Sequence, residues 1–116
     1  MILIIENNLG MRRVIRSFVA EDGSDVREYE SAEESLRLCK TEPDWILFNL
    51  EIKDTDGLAA LRAIKRRWRT ARIVAVSSYD ESELREAARA AGAAAYVLKE
   101  DLSELKRLFQ SKELYQ

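Results

Sequence analysis

A chain of 116 residues with 47% hydrophobic and 34% charged side chains has the size and balance of one globular domain, able to bury a core without a metal or disulfide staple. Its 19 basic and 21 acidic residues leave a net charge of -2, so no overall field draws it to nucleic acid or to an anionic membrane. No apolar run approaches transmembrane length, the opening run is too short for a signal peptide's core, and the single cysteine, Cys39, has no partner for an internal disulfide. The expectation is a soluble cytoplasmic protein, one domain over residues 1–116, with no nucleic-acid and no membrane partner.

Ile2–Ile5 is a short continuous apolar run, the pattern of a strand covered on both faces. Val14, Ile15, Phe18 and Val19 follow at helical spacing, and Gly23 lies past them, where a left-handed helix stop suits glycine. Val26–Tyr29 is the weakest strand candidate. Ser31 with Glu34 fits a capping box, in which hydroxyl and carboxylate satisfy orphan backbone donors reciprocally. An apolar run from Trp45 to Leu50 comes next, then a helical stripe of Leu58, Leu61, Ile64 and Trp68, then a run from Ile73 to Val76. Asp80 with Glu83 is a weaker capping pattern, and Gly92 falls just past the helical stretch it opens. A run from Ala95 to Leu98 and a stripe of Leu102, Leu105, Leu108 and Phe109 close the series. Strand and helix thus alternate five times with short connections, which implies right-handed crossovers, a parallel sheet and helices on both faces. In such α/β folds ligands sit beyond the carboxyl ends of the strands, so the residues just after each apolar run are the ones to interrogate.

Those residues are Glu6 and Asn7, then Asn49 and Glu51, then Ser77 and Ser78, and finally Lys99. Together with "LIIEN…MRRVIR", "PDWILFNLEIKDTDGL", "IVAVSS" and "AGAAAYVLK", in that order and spacing, they make the chain resemble the receiver domains of bacterial response regulators from Ile2 to about Phe109. The resemblance implies a flavodoxin-like doubly wound fold of five β/α units, with a five-stranded parallel sheet in the order 2-1-3-4-5. In that family an acidic pair and an acceptor aspartate hold magnesium, and the acceptor carboxylate attacks a phosphoryl donor. A hydroxyl and a lysine then contact the acyl phosphate while an aromatic residue swings inward. Carried over, Glu6 matches the first acid and Asn7 falls on the second. Asn49 falls on the acceptor, and the backbone carbonyl of Glu51 on the third protein ligand of the metal. Ser77 matches the hydroxyl, Tyr96 the aromatic switch and Lys99 the lysine. Lys53 and Glu100 stand where prolines are common in the family.

The departures change the chemistry. A carboxylate is an anionic oxygen nucleophile that can form a mixed anhydride, whereas the amide of Asn49 is neutral, weakly nucleophilic and unable to give the same acyl phosphate. Magnesium prefers hard, anionic oxygens, and of the three family acids only Glu6 remains. Glu6 and Lys99 sum to zero charge, so magnesium binding is expected to be weak or absent and the pocket to need no cofactor. An ion pair between Glu6 and Lys99 is the structural role expected of that lysine. With no phosphoryl group to meet, Ser77 reads as an ordinary strand-terminal hydrogen-bonding hydroxyl. Tyr96 is either a toggling switch or a fixed half-buried tyrosine.

The reading favoured is a non-enzymatic signalling module of the two-component type, a pseudo-receiver that engages a protein partner, such as a histidine kinase or an output protein. The face from Asp80 to Ser111, rich in Glu83, Arg85, Glu86, Arg89, Lys106 and Arg107, suits docking, with homodimerisation through it an open alternative. Two further alternatives are a phosphotransfer receiver whose acceptor aspartate was replaced by Asn49, against which Asn7 argues, and a receiver cut from a longer transcriptional regulator. A flavodoxin-like cofactor carrier is disfavoured, because the loop Glu6-Asn7-Asn8-Leu9-Gly10 lacks the glycines and hydroxyls that cradle phosphate, and no histidine or second cysteine is present. The run Lys65-Arg66-Arg67 with Arg69 and Arg72 reads as a solvated helix end around an inward-packed Trp68 rather than a nucleic-acid patch. Arg12, Arg13 and Arg16 read as an exposed helical face, and Cys39 as a small apolar filler.

Overall fold

The computed structural model describes residues 1–21, 23–52 and 55–110. Five strands, β1 (Ile2–Ile5), β2 (Val26–Tyr29), β3 (Trp45–Asn49), β4 (Arg72–Ser77) and β5 (Ala93–Leu98), alternate with helices α1 (Leu9–Val19), α2 (Ala32–Leu38), α3 (Gly57–Arg67), α4 (Ser82–Ala91) and α5 (Ser103–Gln110). All neighbouring strands pair in parallel, in the order β2-β1-β3-β4-β5, as the alternation and the resemblance lead one to expect. β2, the weakest strand in the sequence, is an edge strand and none of its residues is fully buried.

Side-chain alternation along the strands divides the core in two. Leu3, Ile5, Ile46, Phe48, Ile73 and Ala75 face one way, packed with Leu61, Ile64 and Trp68 of the α3 region. Ile4, Leu47, Val74, Val76 and Val97 face the other, covered by Ile15 and Val19 of α1 and by Leu102, Leu105 and Phe109 at α5. Each of the large side chains so buried contributes roughly 1.5–3 kcal/mol of transfer free energy. Continuous apolar runs were needed because both faces of the sheet are covered.

The helix ends follow local chemistry, with corrections. Ser31 Oγ accepts the Glu34 N–H at 3.0 Å, but the Glu34 carboxylate takes the N–H of Glu30 at 3.3 Å, one residue earlier than a reciprocal box requires. Asp80 does not cap α4. Glu81 holds that position without a side-chain bond, and Asp80 instead pairs with Arg85 at 2.7 Å. Gly92 does stop α4, with φ +122° and a backbone N–H returned to Ala88 and Arg89, while α1 is closed by Ala20, leaving Gly23 in the turn beyond. Val14 is exposed, so the buried stripe of α1 is Ile15 and Val19 with Phe18 at its margin.

Candidate functional site

Register, rather than sequence distance, assembles the site. Ile5 lies opposite Phe48, Asn49 opposite Val76, and Ser77 opposite Leu98, so Glu6, Asn49, Ser77 and Lys99 all emerge at the carboxyl ends of β1, β3, β4 and the edge strand β5. The Glu6 N–H bonds Tyr29 O at 3.0 Å and the Leu50 N–H bonds Val76 O at 3.0 Å, which carry the sheet's order one residue past its nominal end.

Glu6, Asn49 and Ser77 are the polar residues buried here. Asn49 Nδ2 is 3.5 Å from Asn7 Oδ1, and Asn49 Oδ1 accepts the Glu51 N–H at 3.0 Å, so two neutral amides stand side by side. Glu6 Oε1 accepts the Asn8 N–H at 3.3 Å, while Oε2 is buried with no hydrogen-bond partner among the described residues. The Asn49 Oδ1 is committed to the Glu51 backbone amide, and its amide group also lies close enough to Glu6 to favour the charged carboxylate. Among the described residues no three His, Cys, Asp or Glu side chains cluster as a metal site would require.

The other half of the pocket departs from the sequence reading. Lys99 does not form an ion pair with Glu6; its Nζ lies 3.6 Å from Glu51 Oε1. Glu51, for which the sequence suggested only a backbone carbonyl, turns its side chain into the pocket. Its carboxylate accepts from Ser77 Oγ at 2.6 Å and from the Ser78 N–H at 2.6 Å. Ser77 is thus a hydrogen-bonding hydroxyl at the end of β4, as its position suggests, with the Glu51 carboxylate as its acceptor. With Glu51 included, two carboxylates face one ammonium and the local charge is -1 rather than zero. Lys53, whose position was noted in the sequence, lies outside the described residues.

Tyr96 is half-buried. Its hydroxyl donates to Tyr79 O at 2.6 Å and the Arg85 guanidinium sits 4.6 Å from its ring centroid. Burial raises its pKa above the usual tyrosine value. Arg12 is likewise not part of an exposed face: its guanidinium donates to Glu6 O at 2.8 Å and lies 3.4 Å from Glu28, which also pairs with Arg16 at 2.7 Å. Trp68 is buried with Arg67 beside its ring, and Lys65, Arg66 and Arg67 form the last turn of α3 as expected, whereas Arg72 belongs to β4 and lies over the Trp45 ring. Cys39 is buried and its thiol also donates to Thr41 O at 3.3 Å. On the α4–β5–α5 face, Arg85–Asp80, Arg89–Glu86 and Arg107–Glu104 are paired within the chain. Exposed pairs of this kind contribute little to stability; Ser111 lies outside the described residues.

Burial raises the pKa of Glu6 above its ordinary 4.5, offset in part by the Lys99 charge, the Asn8 N–H and the neighbouring Asn49 amide. The folded chain therefore binds more protons than the unfolded chain from about 4.5 up to the raised value, so Glu6's favourable contribution is full below that window and is lost as pH rises through it. Glu6→Gln, which keeps the acceptor for Asn8, should raise the melting temperature at neutral pH by a few degrees, with the gain shrinking to nothing in acid. Calorimetry across that range checks it; an equal or lower melting temperature for the variant at neutral pH refutes it.

Residues 2–110 match the response regulator receiver domain family. Among curated proteins, the KDP operon transcriptional regulatory protein KdpE of Escherichia coli (strain K12) is 32% identical over 99 residues, covering 84% of this chain and 44% of that protein. The transcriptional regulatory protein YhcZ of Bacillus subtilis (strain 168) is 29% identical over 117 residues, covering 98% and 54%. The chain thus spans about half the length of these two relatives. Among solved structures, the receiver domain of NtrX from Brucella abortus superposes with a TM-score of 0.84 at 20% identity, over 100% of this chain and 99% of that one, a likeness of fold. No helix among the described residues is long and apolar enough to cross a membrane.

Proposed function

Because the chain belongs to the response regulator receiver domain family, we propose that it is a receiver that signals through protein–protein contact without being phosphorylated. The observation that carries this reading is the amide pair of Asn49 and Asn7 at the carboxyl end of β3. Asn49 occupies the position the family uses for its nucleophile, and its neutral amide cannot attack a phosphoryl donor to give an acyl phosphate. The donor set is equally poor for magnesium. Glu6 and the two amides supply too little charge to offset the dehydration of a small dication, and the Glu51 carboxylate is already engaged by Ser77, Ser78 and Lys99, so magnesium binding is weak or absent. Asn7 supports a pocket altered as a whole rather than a single blocked acceptor.

Receivers work with histidine kinases and output domains, and the surface left to this chain for such work is the α4–β5–α5 face. Its exposed charges favour a partner of complementary pattern, whose association would be steered by salt-sensitive electrostatics. The same reading holds for a domain within a longer regulator, the architecture that the lengths of its relatives suggest.

An NMR titration of the protein with magnesium and beryllofluoride, a phosphoryl mimic, tests this. The amide resonances of Asn7, Asn49, Ser77 and Lys99 should stay in place at concentrations that saturate an aspartate-bearing receiver. Localised, saturable shifts at those four positions would overturn the reading.

A further inference from the structure

The pocket holds an anion that the foregoing reading does not use. Glu51 Oε2 accepts from Ser77 Oγ at 2.6 Å, Oε1 accepts from the Ser78 N–H at 2.6 Å, and Lys99 Nζ is 3.6 Å from Oε1. A hydroxyl, a backbone amide and an ammonium group converge on one carboxylate, the composition of a site for a small oxyanion. Ser77 is fully buried, so its hydroxyl has no water to turn to if the carboxylate leaves.

We propose that Ser77, Ser78 and Lys99 form an oxyanion site whose resident ligand is the chain's own Glu51 carboxylate, and that this internal anion fixes Tyr96 at the α4–β5 face. The proposal rests on the phosphorylation-independent reading, because the resemblance assigns the same serine and lysine to a covalent phosphoryl group that would compete with Glu51. The connection to Tyr96 is a short chain of hydrogen bonds. A serine hydroxyl has one proton, and giving it to Glu51 leaves the oxygen's lone pairs for the Tyr79 N–H, which it accepts at 3.0 Å. The carbonyl of the same Tyr79 receives the Tyr96 hydroxyl at 2.6 Å, and Arg85, held by Asp80 at 2.7 Å, lies over the Tyr96 ring. A partner at this face therefore meets an arrangement set by a carboxylate that is always present, not by a transient modification.

The test is NMR of the intact chain and of two variants, with inorganic phosphate as the probe. Glu51→Ala should bind phosphate at least tenfold more tightly than the unaltered chain, with shifts at Ser77, Ser78 and Lys99, and should move the Tyr96 ring resonances before any phosphate is added. Ser77→Ala keeps the carboxylate but cuts the chain to Tyr79; it should move the Tyr96 ring without gaining phosphate affinity, and it covers the case in which Glu51→Ala does not fold. Equal phosphate binding by Glu51→Ala and the unaltered chain, or an unmoved Tyr96 ring in either folded variant, overturns the proposal. Neither result bears on the phosphorylation-independent reading, which falls only if the unaltered chain responds to magnesium and beryllofluoride.

Discussion

Converting Asn7 and Asn49 together to aspartate should lower the melting temperature of the magnesium-free protein by about 10 °C and make its stability depend on magnesium. The two amides are 3.5 Å apart between Nδ2 and Oδ1. Two carboxylates at such a spacing repel by roughly 5 kcal/mol at an effective dielectric near 20. Asn7 is exposed, so water and salt reduce this to on the order of 2 kcal/mol, which corresponds to about 10 °C in a domain of this size. Buried Glu6 lies in the same pocket, beside Asn49, and adds to the repulsion rather than relieving it. Three carboxylates would then supply the charge that magnesium requires, and binding to the folded state alone stabilises it by about 2.7 kcal/mol at a hundredfold excess over the dissociation constant. Calorimetry with a chelator and along a magnesium titration gives both numbers. A double variant that loses no stability in chelator, or ignores magnesium, shows that the electrostatic account of this pocket is wrong.

Gly57→Ala should cost about 3 kcal/mol or more, the upper end of what overpacking does. An added Cβ would lie 2.1 Å from Leu50 O and 3.0 Å from Leu50 C, both backbone atoms of the residue between Asn49 and Glu51. A side chain could swing aside, but this backbone is pinned, since the Leu50 N–H bonds Val76 O and the Glu51 N–H bonds Asn49 Oδ1. The start of α3 is equally fixed by Asp56, whose Oδ1 accepts the Ala59 N–H at 3.1 Å. Gly10→Ala is the control: its nearest neighbour is the Asn8 side chain at 3.3 Å, and alanine suits a helix better than glycine. Chemical denaturation of both variants decides the matter. A Gly57→Ala protein as stable as Gly10→Ala would show that the first turn of α3 moves away from β3 at little cost. Any shift that is tolerated falls on Leu50 and Glu51, so the variant should also disturb the amide resonances of Ser77 and Ser78.

Strands and helices were legible because each rests on a local period or a local cap, and their alternation implied a parallel sheet, while the strand order came from the likeness to receivers. The continuous apolar runs could be satisfied only under two layers of helices, and the Ser31 and Gly92 boundaries depend on a few neighbouring residues. The rule that sites lie beyond strand ends then singled out Glu6, Asn49, Ser77 and Lys99 without coordinates. The likeness to receivers supplied the meaning of Asn49.

What the sequence left undetermined is how those groups pair. Whether Lys99 meets Glu6 or Glu51 depends on distances across β1, β3 and β5, which no periodicity encodes. Arg12 lies on the polar side of α1 by spacing alone, yet β2 brings Glu28 beside it and the end of β1 offers the Glu6 carbonyl. Glu51 follows the last residue of β3 by two, where the alternation of a strand no longer dictates direction; the bond from its own N–H to Asn49 Oδ1 and the donors of Ser77 and Ser78 set its course. The sequence by itself determined the alternation of strands and helices and which polar residues stand at the strand ends, because both follow from residue type and local pattern. Only the tertiary structure decided that a carboxylate two residues beyond Asn49 faces the donors, because that requires three strand ends to meet in space.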